Sequence, residues 1–68
     1  MKLSIAQKRV RRYTSDLSLH YCRLVRVLRN HQGTRDDACK VRIAGSALAE
    51  ALARLVEAEE QLAKEEQQ

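Results

Sequence analysis

Residues 41–62 read VRIAGSALAEALARLVEAEEQL, and this stretch decides the fold. Large apolar residues recur in it at every seventh position, and an alanine follows each of the first three after three residues. The large residues are Val41, Leu48, Leu55 and Leu62, and the alanines are Ala44, Ala51 and Ala58. A seven-residue repeat of this kind indicates an α-helix with one apolar stripe. Because small residues let a neighbouring backbone approach closely, the stripe predicts a partner helix.

A glycine-containing segment before this stretch predicts a turn between two helices. Gly33 suits the left-handed position that follows a helix end, and Thr34 is a favourable N-cap for a second helix. Helices joined by so short a connection must pack side by side, so the sequence predicts an all-α fold, an antiparallel αα-hairpin. We expect one domain over residues 1–68, with helix 1 at about 5–31, a turn at 32–34, helix 2 at about 35–64 and a frayed tail at 65–68.

The start of the chain is compatible with two predictions. Ser4 and Gln7 have the spacing of a capping box, which predicts a helix that begins near Ile5. Alternatively, the polar segment at 13–16 caps a helix that begins near Asp16. Residues 1–13 would then form an arm or a short strand before two helices, as in a ribbon-helix-helix-like dimer.

The chain is too poor in large side chains for a two-helix core to suffice. Of its 68 residues 44% are apolar, but nine of these are alanine and none is Phe or Trp. Burying so little surface does not offset an ordering cost of roughly 1.5 kcal/mol per residue. We therefore expect a homodimer, in which two hairpins form a four-helix bundle. Its predicted interface combines the stripe with apolar residues that helix 1 does not cover: Val41, Ile43, Leu48, Leu52, Leu55, Val56 and Leu62.

Positive charge is concentrated in the first half of the chain. The net charge is +4, yet residues 1–33 hold eight Lys or Arg against Asp16 alone, and residues 34–68 hold five against eight acidic residues. The cluster Lys8, Arg9, Arg11 and Arg12 predicts phosphate contacts to RNA or DNA. In an antiparallel hairpin the same cluster would face glutamates near the end of helix 2, which can neutralise it within the fold. These are Glu57, Glu59, Glu60 and Glu65.

A protein partner is our leading interpretation of the same charge. Arginine and exposed apolar residues are common anchors of protein interfaces. The surface that we expect to bind lies on the outer part of helix 1: Arg11, Arg12, Leu19, Arg23, Arg26 and Arg29. The sequence thus predicts a small non-enzymatic protein that inhibits or sequesters a regulatory protein, in the manner of a phage-type inhibitor or a co-chaperone-like adaptor. The alternative is a regulator that binds RNA or DNA through helix 1.

Other chemistries lack the residues that they need. His20, Cys22, His31 and Cys39 are the residue types of a zinc site, but positions 20 and 22 point to different sides of a helix. No Gly-rich phosphate loop, carboxylate pair or nucleophile motif is present, so we expect no metal, no cofactor, no small-molecule substrate and no catalysis. No apolar run approaches the ~20 residues of a membrane span. We expect a cytoplasmic protein with reduced cysteines and no membrane contact.

The layout resembles two known families. Its length, its helix–glycine turn–helix order and its Ala and Leu layers resemble the Rop family of plasmid RNA-binding proteins, four-helix bundles made from two hairpins. Gly33 and Thr34 between two helices, taken with the alternative of a short strand at residues 2–6, resemble the ribbon-helix-helix DNA-binding dimers. Both resemblances imply a dimer that binds nucleic acid, and neither assigns a role to an individual residue.

Overall fold

Two antiparallel helices make up the computed structural model, which describes residues 2–67. Helix α1 spans Ile5–Arg29 and helix α2 spans Arg35–Glu66. None of the residues from 2 to 67 lies in a β-strand, so the predicted all-α helical hairpin is confirmed. Met1 and Gln68, the two ends of the predicted domain, lie outside the described residues.

The predicted capping box starts α1. The Ser4 hydroxyl oxygen accepts a hydrogen bond from the backbone N–H of Gln7 at 3.1 Å. In return, Oε1 of Gln7 accepts one from the backbone N–H of Ser4 at 2.8 Å. Two of the amides that a helix start leaves free are thereby satisfied, which sets the first turn of α1.

Helix α1 continues without a break through the polar segment at 13–16. Within that segment the Thr14 hydroxyl donates a hydrogen bond to the Val10 carbonyl at 2.7 Å. Its polar group is thus satisfied inside the helix and does not cap a new one. The alternative of an arm or a strand before a ribbon-helix-helix-like dimer is therefore wrong wherever the chain is described, because residues 5–13 are helical.

The turn between the helices is longer than predicted. It occupies residues 30–34, because α1 ends at Arg29 and not near residue 31. Gly33 has a φ of 81°, a left-handed conformation that glycine adopts without strain. Its backbone N–H donates a hydrogen bond to Nδ1 of His31 at 3.0 Å. Residues 31–33 therefore use their polar groups to form the turn and do not extend the helix.

The Asp37 side chain fastens this turn to α2. Its carboxylate accepts a hydrogen bond from the backbone N–H of Gln32 at 2.9 Å, while the Asp37 N–H donates to the Thr34 hydroxyl at 3.0 Å. The bond from Gln32, followed by the Thr34 hydroxyl, lowers the pKa of Asp37 below its ordinary value of 3.8. The ionised carboxylate is thus part of the folded turn.

Helix α2 is longer than predicted at its C-terminal end. It ends at Glu66, not near residue 64, and the Gln67 N–H still bonds to the Ala63 carbonyl at 3.2 Å. Residues 63–67 consist of Ala, Lys, Glu and Gln, which favour helix and include no Gly or Pro to end it. Residues 65 and 66 are therefore helical and extend α2 beyond its predicted end near residue 64.

The helices meet along the predicted stripe, but the fully buried part is small. Ala6 of α1 and Ala51, Leu55 and Ala58 of α2 are buried. Larger apolar residues beside them are half-buried: Val10, Leu17, Leu24, Val27, Val41, Leu48 and Leu62. The hairpin measures 52 × 20 × 11 Å, so it is a single layer about one helix thick. A single layer leaves both of its broad faces uncovered.

Candidate interaction site

One broad face of the hairpin carries two grooves between the helices, and we call it the groove face. The groove near the turn, here the turn groove, lies between residues 20–27 of α1 and residues 40–47 of α2. Its base consists of half-buried apolar residues, and its exposed rim carries three cations around one isoleucine. The base is formed by Val27, Ala44 and Ala47, and the rim by Arg23, Arg26, Lys40 and Ile43.

The second groove lies near the chain ends and has mixed charge. Ile5, Arg9 and Arg12 of α1 line it together with residues 54–65 of α2. Those α2 residues contribute both signs: Arg54 and Lys64 against Glu57, Glu60 and Glu65. The two ends of the groove face therefore differ, because acidic side chains line the groove near the chain ends and none lines the turn groove.

The ion pairs of the described residues lie within α2. Lys40 and Asp36 are 3.3 Å apart, and Arg54 and Glu50 are 3.5 Å apart, each pair being one helical turn apart in sequence. Between residues 2 and 67, no ion pair joins an arginine of α1 to a glutamate of α2. The hairpin brings arginines and glutamates to one groove, as an antiparallel layout predicts, but does not pair them.

The residues predicted to bind a protein are all exposed, but they do not form one patch. Arg23 and Arg26 lie on the rim of the turn groove, and Arg12 lies in the groove near the chain ends. Arg11 and Leu19 instead line a shallow depression on the outer side of α1. The last member, Arg29, ends α1 beside the turn. Two of the six thus share a groove with exposed apolar surface from the other helix.

The residues predicted to bind nucleic acid are exposed on the first turns of α1. Arg9 and Arg12 lie in the groove that also holds Glu57, Glu60 and Glu65. Arg11 lies on the outer side of the helix, and Lys8 is exposed nearby. None of the four takes part in an ion pair with another described residue.

The other broad face of the hairpin carries four exposed large apolar residues, and we call it the apolar face. An α-helix turns by about 100° per residue, so residues two positions apart point in nearly opposite directions. Four large apolar residues stand two positions from an arginine that lines the groove face. They are Tyr21, two residues before Arg23; Leu28, two residues after Arg26; and Leu52 and Val56, two residues before and after Arg54. With exposed fractions of 59, 52, 49 and 46%, these four side chains are open to a partner on the opposite face.

The hairpin distributes the residues of the predicted dimer interface among three locations. Leu55 is only 8% exposed and is buried between the helices. Three further residues of the stripe are half-buried beside it: Val41, Leu48 and Leu62. Ile43 is 65% exposed and lines the turn groove, whereas Leu52 and Val56 lie on the apolar face. Surfaces that the sequence grouped together therefore face in opposite directions.

Four residues that lie on the apolar face or line the turn groove were not among the predicted site residues. Tyr21 and Leu28 extend the apolar face, and their spacing of seven residues was the signal that could have identified them. His20 and Lys40 line the turn groove. Lys40 carried no comparable signal, because only the pairing of the two helices brings it beside Arg23 and Arg26.

Neither a metal centre nor a membrane span is found in the described part of the chain. Among residues 2–67, no three His, Cys, Asp or Glu side chains are grouped so that they could hold a metal ion. No helix there combines the length and the apolarity that crossing a membrane requires. Comparisons with protein-family models, with curated proteins and with solved structures find no match to this chain.

Proposed function

We propose that this chain is a non-enzymatic interaction module that works as a homodimer and sequesters or inhibits a regulatory protein through its groove face. The observation that carries the proposal is the turn groove, where Arg23, Arg26 and Lys40 surround the exposed Ile43 above an apolar base. Arginines around an apolar centre are the usual composition of a protein interface.

The shape and charge of the turn groove favour an acidic amphipathic helix as the partner segment. Such a helix lays its apolar side into a groove between two helices and places its carboxylates against the rim. The Lys40 ammonium is already near one carboxylate, that of Asp36, whereas Arg23 and Arg26 have no ion-pair partner among residues 2–67. The two arginines are therefore the cations that we expect an acidic partner to use.

The proposed setting is the cytoplasm. Cys22 and Cys39 are both exposed and unpaired, which fits a compartment that keeps thiols reduced.

Reversing the charge of the turn groove tests the proposal. We expect Arg23→Glu with Arg26→Glu to abolish binding of a fluorescent acidic amphipathic peptide of about 20 residues, measured by anisotropy. The matched control is Arg42→Glu, which changes an exposed arginine of α2 that lines neither groove. The same variants are then used to capture the partner from a lysate of the native host. Equal capture by the double variant and by wild type would contradict the proposal.

A second candidate function is the binding of RNA or DNA, favoured by the exposure of Lys8, Arg9, Arg11 and Arg12 outside any ion pair with described residues. This function predicts a binding constant whose logarithm falls linearly with the logarithm of salt concentration. Removing one phosphate-contacting cation should lower that slope by about 0.9 for duplex DNA. The absence of a mobility shift with duplex RNA or DNA at low salt would eliminate this candidate.

A further inference from the structure

We infer that a second copy of this chain covers the apolar face, with α1 of each copy lying on α2 of the other and both turns at the same end of the bundle. The inference rests on the homodimer of the proposed function and names its contact face and its arrangement. It differs from the interface predicted from sequence, because Ile43 and the buried Leu55 take no part in it.

The broad face that carries the four exposed apolar residues is large enough for a stable interface. The hairpin is 52 Å long and 20 Å wide. Its broad face therefore offers roughly 1,000 Å² per copy, where stable interfaces bury about 800 Å² per partner. Tyr21, Leu28, Leu52 and Val56 provide the large exposed side chains that such a contact requires.

The turn groove shows which residues lie at the same level along the hairpin. In an antiparallel hairpin the opposed ends of the turn groove are Val27 with Lys40 and His20 with Ala47, and the numbers of each pair add to 67. Residues at the same level thus have numbers that add to about 67. By this rule, Tyr21 of α1 lies level with Gly45 of α2 to within one residue.

The packing of a single hairpin does not explain why position 45 is a glycine. It lies in the interior of α2, where glycine is unfavourable, and a Cβ at this position would meet nothing within 4 Å. The chain's own packing therefore does not require glycine there. Gly45 stands seven residues before Leu52 and so shares the apolar face with it. Because glycine has no side chain, we call the open space above it the recess, and Tyr21 is an aromatic side chain at the same level that projects from the same face.

A twofold axis parallel to the helices places the Tyr21 side chain of one copy in the recess above Gly45 of the other copy. Rotation about such an axis moves α1 of one copy onto α2 of the other and leaves every residue at its level. Tyr21 then meets Gly45 of the second copy, and the neighbouring levels also match larger residues with smaller ones. These matches are Leu28 with Ala38 and Leu52 with Thr14, while Val10 lies level with Val56, a residue of the same size. Toward the chain ends, Glu59 lies level with Gln7 and so meets an amide.

The charges of the helices favour the same arrangement. Helix α1 holds seven Lys or Arg and one Asp, whereas α2 holds five basic and eight acidic residues. With both turns at one end, each positively charged α1 lies on a negatively charged α2. With the turns at opposite ends, the two positive helices would lie on each other, which electrostatic repulsion disfavours.

A cysteine pair tests the arrangement in the full-length chain. In a background with Cys22→Ser and Cys39→Ser, both exposed positions, we introduce Tyr21→Cys and Gly45→Cys together. Under mild oxidation we expect a covalent dimer, since a disulfide requires Cα atoms within about 7 Å. The two positions also lie level on the adjacent helices of one chain, so the mass of the product identifies the contact: it doubles for a disulfide between copies and stays that of one chain for a disulfide within a copy.

A distance between the two turns provides an independent measurement. A spin label at Gln32→Cys in the same background should give a separation within about 20 Å in the dimer, because neighbouring helix axes are 8–10 Å apart. Turns at opposite ends would be separated by more than about 40 Å, the length of the helices.

Filling the recess provides a test that does not depend on cysteine chemistry. Gly45→Leu should raise the dissociation constant of the dimer at least about tenfold, because the added side chain occupies the place of the partner's Tyr21. Leucine favours helix more than glycine does, so the loss cannot come from a weaker α2. Ser46→Leu, one residue further on and pointing away from the face, should leave the constant within about twofold.

The outcomes separate the inference from the proposed function. A covalent dimer together with a short turn-to-turn distance supports the arrangement. A reversible dimer that gives no covalent dimer and a distance above about 40 Å overturns the arrangement and leaves the homodimer in place. A monomer at every concentration overturns both, while the peptide measurement with Arg23 and Arg26 still decides whether the turn groove binds a partner.

Discussion

Ile43 and Leu52 point in opposite directions from α2, because nine residues correspond to two and a half helical turns. Ile43 belongs to the basic turn groove, and Leu52 belongs to the apolar face. The hairpin thus separates a surface suited to an acidic partner from a surface suited to its own copy.

Glutamate substitutions at these two positions should have different effects. We expect Leu52→Glu to weaken self-association at least about tenfold, because a carboxylate would be buried in the dimer contact without a partner. Ile43→Glu places the same charge on the other face and serves as the control. Sedimentation equilibrium measures both. Equal association constants for the two variants would show that the apolar face is not the contact.

Leu55→Ala should destabilise the hairpin more than any other single leucine truncation in α2. Leu55 is the large residue of α2 that the hairpin itself buries, and such truncations cost about 2–5 kcal/mol. Leu48→Ala removes a half-buried side chain and should cost less. Urea unfolding at one protein concentration compares the two variants. A larger loss at Leu48 would mean that the dimer buries more of the stripe than the hairpin does.

Gly33→Ala should destabilise the turn. Gly33 has a φ of 81°, and holding an L-residue there costs roughly 1–2 kcal/mol. Open space around the position excludes a steric clash as the cause. Ser46→Ala, an exposed change in the interior of α2, should stay within about 0.5 kcal/mol of wild type. Thermal unfolding followed by circular dichroism is the measurement, and equal melting temperatures for Gly33→Ala and wild type would contradict the left-handed turn.

The Asp37 carboxylate should make the turn sensitive to acid. The pKa of Asp37 is lowered in the folded chain, so the ionised carboxylate stabilises the fold at any pH above the ordinary pKa of 3.8. This stabilisation is lost as the pH falls through the lowered pKa of the folded chain. Asp37→Asn keeps the shape of the side chain and removes the titration. We expect wild type to melt above the variant at neutral pH and the difference to shrink below pH 3.8. A difference in melting temperature that stays constant down to ~pH 2 would contradict this role, because ordinary carboxylates are protonated at that pH.

Local signals in the sequence were sufficient to predict the hairpin. Ser4 with Gln7, and Gly33 with Thr34, mark helix boundaries through bonds within a few residues, and those bonds are present. The segment at 13–16 was ambiguous because Thr14 can bond either to its own helix or to a new helix start. Only the continuous stripe on both sides of that segment favours one helix.

The candidate sites were predicted less well, since they depend on how the two helices face each other. Apolarity alone grouped Ile43 with Leu52, although the helical angle between them separates the two. Opposite charges at the same level suggested ion pairs between Arg12 and the glutamates of α2. Three of the predicted glutamates, Glu57, Glu60 and Glu65, line the same groove as Arg12, whereas Glu59 does not. None of them pairs with Arg12, because pairing depends on side-chain conformations that position along the chain does not determine.

The thickness of a single helix layer would also set the number of partners that the proposed dimer can bind. In the dimer that we propose, the groove faces would point outward on opposite sides, and each dimer would offer two equivalent docking sites. A partner that is itself a dimer could then be held with avidity, because the second contact forms at a high effective concentration. A regulator bound in this way would be bridged or clustered as well as blocked, with two partner chains for every two copies of this one.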